Sequence, residues 1–174
     1  MRKKIFLYYI LLTVVSVCVT GFFISELAQK FYKYEVEEKL RNTAVLMQHH
    51  IAAEATDGNK LDLNKYAQDY AKILNEQAEL TPAKTGTRIT FIDFQGNVVG
   101  ESDKNYYEME NHINRKEIAE AISGKIGRDV RFSNTLKYDF LYIAVPIQEV
   151  KVVVRISVPL VQLKTIDKLI WFYA

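Results

Sequence analysis

The side chain with the widest chemical repertoire in this sequence is His112, which lies in the stretch MENHINRKEIAEAISGK at residues 109–125. An imidazole can act as a general base or as a metal ligand. A metal site needs further ligands, yet the pair His49 and His50 is distant in sequence, and neighbours on a helix point about 100° apart. We therefore predict neither a metal site nor a catalytic role for His112.

The residues after His112 favour a place in a loop. Asn114 followed three residues later by Glu117 resembles a capping box, in which Asn114 accepts from a helical amide and Glu117 reaches back. One apolar helical face then follows, and Gly124 is a typical helix end; the face consists of Ile118, Ala121 and Ile122. The pattern predicts that His112 precedes a helix start, where it either packs in the loop or contacts a ligand.

Two further polar residues are candidates for ligand contact, Arg131 and Tyr142, each within an extended run. A guanidinium binds carboxylate or phosphate groups through paired hydrogen bonds. The alternative is that Arg131 is solvated or pairs with Asp139, and that Tyr142 belongs to the core. With His112 they are the three candidate ligand contacts.

The first segment of the chain is apolar. Residues 5–24 contain no charge, and at ~1.5 Å per residue this run is long enough to cross a hydrocarbon core of ~30 Å. Arg2, Lys3 and Lys4 precede it, so the positive-inside bias places residues 1–4 in the cytoplasm and the rest outside. A cleaved signal peptide is the alternative, but the run exceeds its usual ~7–15 residues and no A-x-A-like site follows.

Charge and cysteine content exclude two classes of protein. The formal net charge of +2 over 174 residues is too small for a nucleic-acid-binding surface. The single cysteine, Cys18, lies in the apolar run, so no disulfide can form within one chain.

Residues 25–55 contain no proline or glycine and read as one helix continuous with the apolar run. One stripe at helical spacing is the more apolar and is predicted to cover a sheet: Val36, Leu40, Ala44, Met47 and Ile51. The other stripe is predicted to form a parallel dimer seam; its candidates are Leu27, Phe31, Tyr34 and Val45. The alternative is that both stripes contact the same core and that no dimer exists.

The remainder predicts an α+β domain. A turn at residues 57–59 precedes a second amphipathic helix that Pro82 stops. Five extended runs follow with few residues between the later ones, which favours an antiparallel sheet; the runs are 87–94, 98–102, 129–133, 139–148 and 152–160. In the first turn, Asp93 is predicted to accept from nearby amides and Gly96 to adopt a positive φ, so we assign Asp93 to the turn rather than to catalysis.

Four stretches in order resemble a known family: RITFIDFQGNVVGES, MENHINRKEIAEAISGK, VRFSNTLKYDFLYIAVPI and VVRISVPL. They are similar to the extracytoplasmic sensor domain of PhoR/WalK-type bacterial sensor histidine kinases, a PAS-like (PDC or single Cache) fold. The resemblance covers about residues 5–174. This chain has Lys116 where the family often has proline, and Glu101-Ser102 where Asp-Ser is common; both lie near the region where a ligand is expected.

The resemblance implies a receptor in a bacterial cell membrane. It implies a transmembrane helix at 5–24 that runs into a long helix, an extracytoplasmic PAS-like domain at 25–160 with a five-stranded antiparallel sheet and flanking helices, and an exit helix with the start of a truncated second transmembrane helix at 161–174. The expected partners are a second copy in a parallel homodimer, membrane lipid and an unidentified small-molecule or protein stimulus, but no nucleic acid.

The resemblance also implies what the parent protein does. Its cytoplasmic kinase modules, with their ATP and Mg, are not in this fragment, so we expect the fragment to be no enzyme and to bind no cofactor, while the full-length parent is a histidine protein kinase. The sensor biases autophosphorylation of a cytoplasmic histidine, and the phosphate passes to a response regulator. The alternatives are the outer domain of a chemoreceptor or cyclase, or an anchored structural domain.

Overall fold

The computed structural model describes residues 2–58, 61–77, 86–133 and 138–160. Helix α1 spans Arg2–Thr56, helix α2 Leu63–Gln77 and helix α3 Lys116–Ile122; a short 3-10 helix spans Tyr106–Glu108. Strands β1 to β5 span Arg88–Asp93, Val98–Glu101, Gly127–Ser133, Tyr138–Ile147 and Val152–Pro159. The chain divides into two compact units, and residues 36–160 form the larger one. The predicted helix end at Pro82 and the predicted segments at 161–174 lie outside the described residues.

The smaller unit contains the apolar part of α1. Among the described residues this is the one helix long and apolar enough to cross a membrane, with a mean hydropathy of 2.2 in its most apolar window. The hydroxyls of Thr13 and Thr20 donate to the carbonyls of Tyr9 and Ser16, both at 2.8 Å, so these polar groups are paired within the helix itself. Such hydrogen bonds reduce the cost of placing these hydroxyl groups in an apolar surrounding.

The larger unit is built on a five-stranded antiparallel sheet in the order β2-β1-β5-β4-β3. This confirms the predicted α+β class and the five predicted strands. The first hairpin also forms as predicted: Asp93 Oδ1 accepts from the amides of Gln95 at 2.9 Å and Asn97 at 2.8 Å, and Gly96 has a φ of 87°.

Helices α1 and α2 cover one face of the sheet. Most of the predicted apolar stripe of α1 is buried there, with Leu40, Ala44, Met47 and Ile51 between 0% and 6% exposed, while Val36 at its start is only partly buried. Gln48 Nε2 donates to the carbonyl of Pro146 in β4 at 2.7 Å, and Asn64 Oδ1 of α2 accepts from the amide of Glu101 in β2 at 3.2 Å. Contacts between His50 and Tyr70, and between Tyr66 and Glu54, join the two helices.

Helix α3 covers part of the opposite face. Its Ile118 and Ala121 form a small core with one side chain from each of three strands: Ile92, Ala144 and Val153. A Cβ on Gly127 of β3 would lie 1.8 Å from the carbonyl oxygen of Glu117, so the backbone of α3 sits directly on that strand. The rest of this face carries polar and charged side chains.

Candidate functional site

The sheet brings polar side chains from all five strands to the face that α3 shares. Side chains alternate between the two faces of a strand, and opposite partners share a face. Thr90 lies opposite both Glu101 and Arg155, and Tyr142 lies opposite both Ser157 and Asp129. Arg88 and Arg131 lie two residues from members of this set on their own strands. The pairing therefore creates one continuous polar face, which consists of Arg88, Thr90, Glu101, Asp129, Arg131, Tyr142, Arg155 and Ser157.

Arg155 lies at the centre of this face and is 5% exposed. Its Nη2 donates to Thr90 Oγ1 at 2.9 Å, and Thr90 Oγ1 donates to Glu101 Oε2 at 2.8 Å. Arg88 Nη2 lies 3.3 Å from the same carboxylate oxygen. Burial lowers the pKa of Arg155, while the nearby carboxylates of Glu117 and Glu101 raise it. Even a lowered guanidinium pKa leaves arginine charged at neutral pH, so Arg155 is a buried cation held by its acidic neighbours.

Glu117 is fully buried and contacts two arginines. Its Oε1 lies 2.7 Å from Arg131 Nη2 and 3.6 Å from Arg155 Nη1, while its Oε2 has no hydrogen-bond partner among the described residues. The predicted capping box is therefore wrong. Arg115, and not Asn114, is the N-cap residue of α3, and no side-chain cap hydrogen bond forms because a guanidinium cannot accept from a helical amide. The Glu117 carboxylate points to the sheet cations and not back to the helix start.

Arg131 lies against the ring of Tyr142. Its guanidinium carbon is 4.2 Å from the ring centroid, within the range of a cation–π contact, and its Nε is 3.2 Å from Asp129 Oδ2. The alternative pairing of Arg131 with Asp139 is wrong. Arg131 lies opposite Phe140, so the neighbouring Asp139 projects from the other face of β4.

His112 is buried in the segment that leads to α3, with 5% exposure. Its backbone amide donates to the carbonyl of Gly96 at 2.7 Å, and its carbonyl accepts from the amide of Arg115 at 2.9 Å. The ring Nδ1 has no hydrogen-bond partner among the described residues. Burial lowers the pKa of His112 to about 4, helped by the positive charges of Arg155, Arg115, Arg131 and Arg88. The imidazole is therefore neutral at neutral pH.

The structure thus places all three candidate ligand residues at or beside one polar face. Tyr142 contacts Arg131 directly, and the positive charges of Arg131 and Arg155 contribute to lowering the pKa of His112. Sequence reasoning missed Arg155 and Glu117 as members of this site. The signal for Arg155 was present, since a lone arginine within the apolar run VVVRISV is a buried charge that needs partners.

An open depression of about 490 Å³ lies beside this region. Six residues of one segment line it: Lys104, Asn105, Glu108, Met109, Glu110 and His112. His112 is the lining residue whose pKa also responds to the charges of the arginines.

The titration of His112 predicts loss of stability in acid. The pKa of the unfolded histidine is 6.5 and that of the folded one is about 4, so the unfolded chain binds the proton first as pH falls. The stabilising contribution is complete above pH ~6.5 and is lost between there and pH ~4. We expect His112→Gln to remove about 2 kcal/mol of the acid destabilisation between pH 7 and 4.5, measured by denaturant unfolding at both pH values. The same acid loss in the variant and in the wild-type chain would contradict this assignment.

No family model and no curated protein matches the sequence. Among solved structures, the chain is similar to a domain of a sensory box/GGDEF family protein from Vibrio parahaemolyticus, with a TM-score of 0.57 and 13% identity over 81% of this chain and 60% of that one. The sensor domain of the histidine kinase DctB from V. cholerae has a TM-score of 0.44 and 16% identity, over 81% and 59%. A methyl-accepting chemotaxis protein from Vibrio parahaemolyticus RIMD 2210633 has a TM-score of 0.45 and 17% identity, over 75% and 93%.

The likeness to the sensory box/GGDEF family domain shows a shared fold. The chain spans 38% and 39% of the length of two matching extracellular domains of histidine kinases.

Proposed function

We propose that this chain is the signal-input region of a membrane-bound sensor histidine kinase of the PhoR/WalK type. In this proposal residues 5–24 cross the membrane from a cytoplasmic tail at 1–4, residues 25–160 form the extracytoplasmic sensor, and residues 161–174 lead back to a second membrane span. The region itself performs no chemistry. It changes the geometry of a parallel dimer, which controls autophosphorylation in the cytoplasmic part and phosphate transfer to a response regulator.

One observation carries this proposal. Helix α1 contains both a 20-residue uncharged run and, further along, the stripe of Leu40, Ala44, Met47 and Ile51 that is buried in the sheet unit. A single continuous helix of this kind can transmit a change in the core of the domain along its axis, because the helical backbone is stiff compared with a loop. The fold shared with a sensory box/GGDEF family protein supports an input role.

Fold alone does not decide the output module. The same outer fold is compatible with the chemoreceptor and cyclase alternatives. We favour the kinase because the four motif stretches resemble that family in order.

The proposed ligand contacts are His112, Arg131 and Tyr142. Charges on the polar face are already matched, since Glu101, Glu117 and Asp129 lie against the arginines. A ligand carboxylate or phosphate therefore competes with an acid of the domain itself. Such a ligand shifts the domain between two states only by its difference in affinity for them.

The proposed dimer seam is open to a partner. Leu27, Phe31 and Tyr34 are 55%, 65% and 66% exposed, and Val45 is partly exposed on the same stripe. Apolar side chains at this spacing match the a and d positions of a parallel coiled coil.

A cysteine scan along the seam tests the proposal. In a Cys18→Ser background, single cysteines at Leu27, Phe31 and Tyr34 are expected to form disulfide-linked dimers in membranes with several times the yield of the controls Gln29 and Lys33. The controls lie roughly 125–165° from the seam around the helix, so their thiols point away from the partner.

The same variants, joined after residue 174 to the cytoplasmic part of a sensor kinase, test the output. A disulfide across the seam at Phe31 or Tyr34 is expected to change the rate of autophosphorylation from labelled ATP by several-fold. Reducing that disulfide should restore the original rate. A cross-linking yield that is flat along the helix would contradict the dimer seam. Autophosphorylation unaffected by any lock would contradict the sensor role.

A further inference from the structure

Glu117 joins α3 to the sheet by charge. Its carboxylate is fully buried, and one oxygen faces both Arg131 at 2.7 Å and Arg155 at 3.6 Å. A buried carboxylate is stable only where cations or donors compensate its lost hydration. The carboxylate therefore favours one position of α3, the position in which it lies between the two guanidiniums.

Helix α3 has little stability of its own. It has seven residues, and its N-cap residue Arg115 makes no side-chain cap hydrogen bond. Isolated helices shorter than ~12–15 residues are marginal in water. Its apolar contacts are limited to one small core, in which Ile118 and Ala121 are buried and Ile122 is partly buried. The docking of α3 on the sheet therefore depends strongly on the Glu117 ion pairs. A longer helix would have more apolar contacts and would depend on them less.

Arg128 connects α3 with α1. Its backbone amide donates to Glu120 Oε2 of α3 at 2.9 Å, and its side-chain Nε lies 2.6 Å from Glu37 Oε1 of α1. Arg128 and Arg131 are three residues apart in β3, so they project from opposite faces of that edge strand. One strand thus contacts the Glu117 carboxylate on one side and α1 on the other.

We propose that α3 is a latch, closed when the Glu117 carboxylate lies between Arg131 and Arg155 and open when it leaves, and that Arg128 transmits its position to α1. The Glu117 carboxylate occupies the position beside the two arginines that an anionic ligand would take. The closed latch is therefore the state of the domain without a stimulus. As a signalling device this rests on the proposed function. The opening of α3 itself does not depend on it.

Hydrogen–deuterium exchange of the full chain in lipid nanodiscs tests the latch. Loss of a charged, buried hydrogen bond corresponds to about ten- to hundredfold in an equilibrium constant. In Glu117→Gln, amides of residues 116–122 are therefore expected to exchange about ten- to hundredfold faster, while β1, β4 and β5 keep their protection. The control Glu110→Gln removes the same charge from an exposed residue and should leave α3 unchanged. Should Glu117→Gln fail to fold, Arg131→Gln removes the shorter contact and leaves Arg155 in place.

Exchange in α1 tests the transmission. Opening of the latch is expected to raise exchange at residues 36–44 in Glu117→Gln, and the additional change Arg128→Gln should abolish this response while α3 still opens. Equal acceleration across the whole sheet in Glu117→Gln would overturn the latch, because it would show a structural ion pair coupled to global unfolding. An α1 response that persists without Arg128 would overturn the transmission. Neither result involves a kinase, so both are independent of the test of the proposed function.

Discussion

Replacing Gly127 by alanine is expected to lower the free energy of unfolding by about 3 kcal/mol, a large effect for adding one methyl group. The new Cβ would lie 1.8 Å from the carbonyl oxygen of Glu117 and 2.6 Å from its carbonyl carbon. Both are backbone atoms, which cannot rotate away as a flexible side chain can. Helix α3 must therefore move off β3, and the Glu117 ion pairs and the core around Ile118 are lost with it. The measurement is the thermal midpoint followed by near-UV circular dichroism, with an expected drop of about 10 °C.

Gly124→Ala is the matched control, because it adds the same methyl group just beyond the end of α3. Gly124 has a φ of 88° but no heavy atom within 4 Å of its added Cβ, so the cost there is backbone strain alone, about 1 kcal/mol. Equal losses of stability in the two variants would contradict a close contact between the backbone of α3 and Gly127.

Arg155→Met is expected to cost about 3–5 kcal/mol, the range for removing one partner of a buried ionic network. Methionine keeps much of the side-chain volume, so the loss reports charge and hydrogen bonding more than packing. It removes the donor to Thr90 and one of the two cations that face Glu117. Because Arg155 lies in β5, the central strand of the sheet, the loss should be global and should appear in the midpoint of denaturant unfolding.

Arg128→Met is the control for this prediction. Its side chain is 51% exposed, and its ion pair with Glu37 is expected to contribute at most about 1 kcal/mol. The double variant Arg155→Met/Glu117→Leu should lose less than the sum of the single variants, since it removes both members of a pair and leaves no buried charge unpaired. A loss in Arg155→Met no greater than in Arg128→Met would show that the buried network does not stabilise the domain.

Much of the architecture follows from patterns that are local in the sequence. The stripe at Leu40, Ala44, Met47 and Ile51 repeats at helical spacing and is buried as predicted. The turn at Asp93 forms from residues within four positions of each other. Such features depend on neighbouring residues, whose geometry is set by the backbone period, and can therefore be inferred without knowing which strands are adjacent.

The site depended on information that lies far apart in the chain. Asn114 and Glu117 have the spacing of a capping box, but the Glu117 carboxylate has stronger partners 14 and 38 residues away, in Arg131 and Arg155. Once the Glu117 carboxylate is buried, cations must compensate its lost hydration, and the two guanidiniums do so while a single amide at the helix start could not. Sheet geometry also decides the partner of Arg131: Asp129 shares its face of β3, whereas Asp139 projects from the other face of β4.

The amino-acid sequence by itself determined an apolar leading helix, the periods of the helices and strands, and the first hairpin, because each arises between residues a few positions apart. Only the tertiary structure decided which charges meet. The strand order β2-β1-β5-β4-β3 places Thr90 beside Arg155 and so assembles the polar face. Strand order is a property of the whole sheet, and a side chain's partners follow from it rather than from the residues on either side.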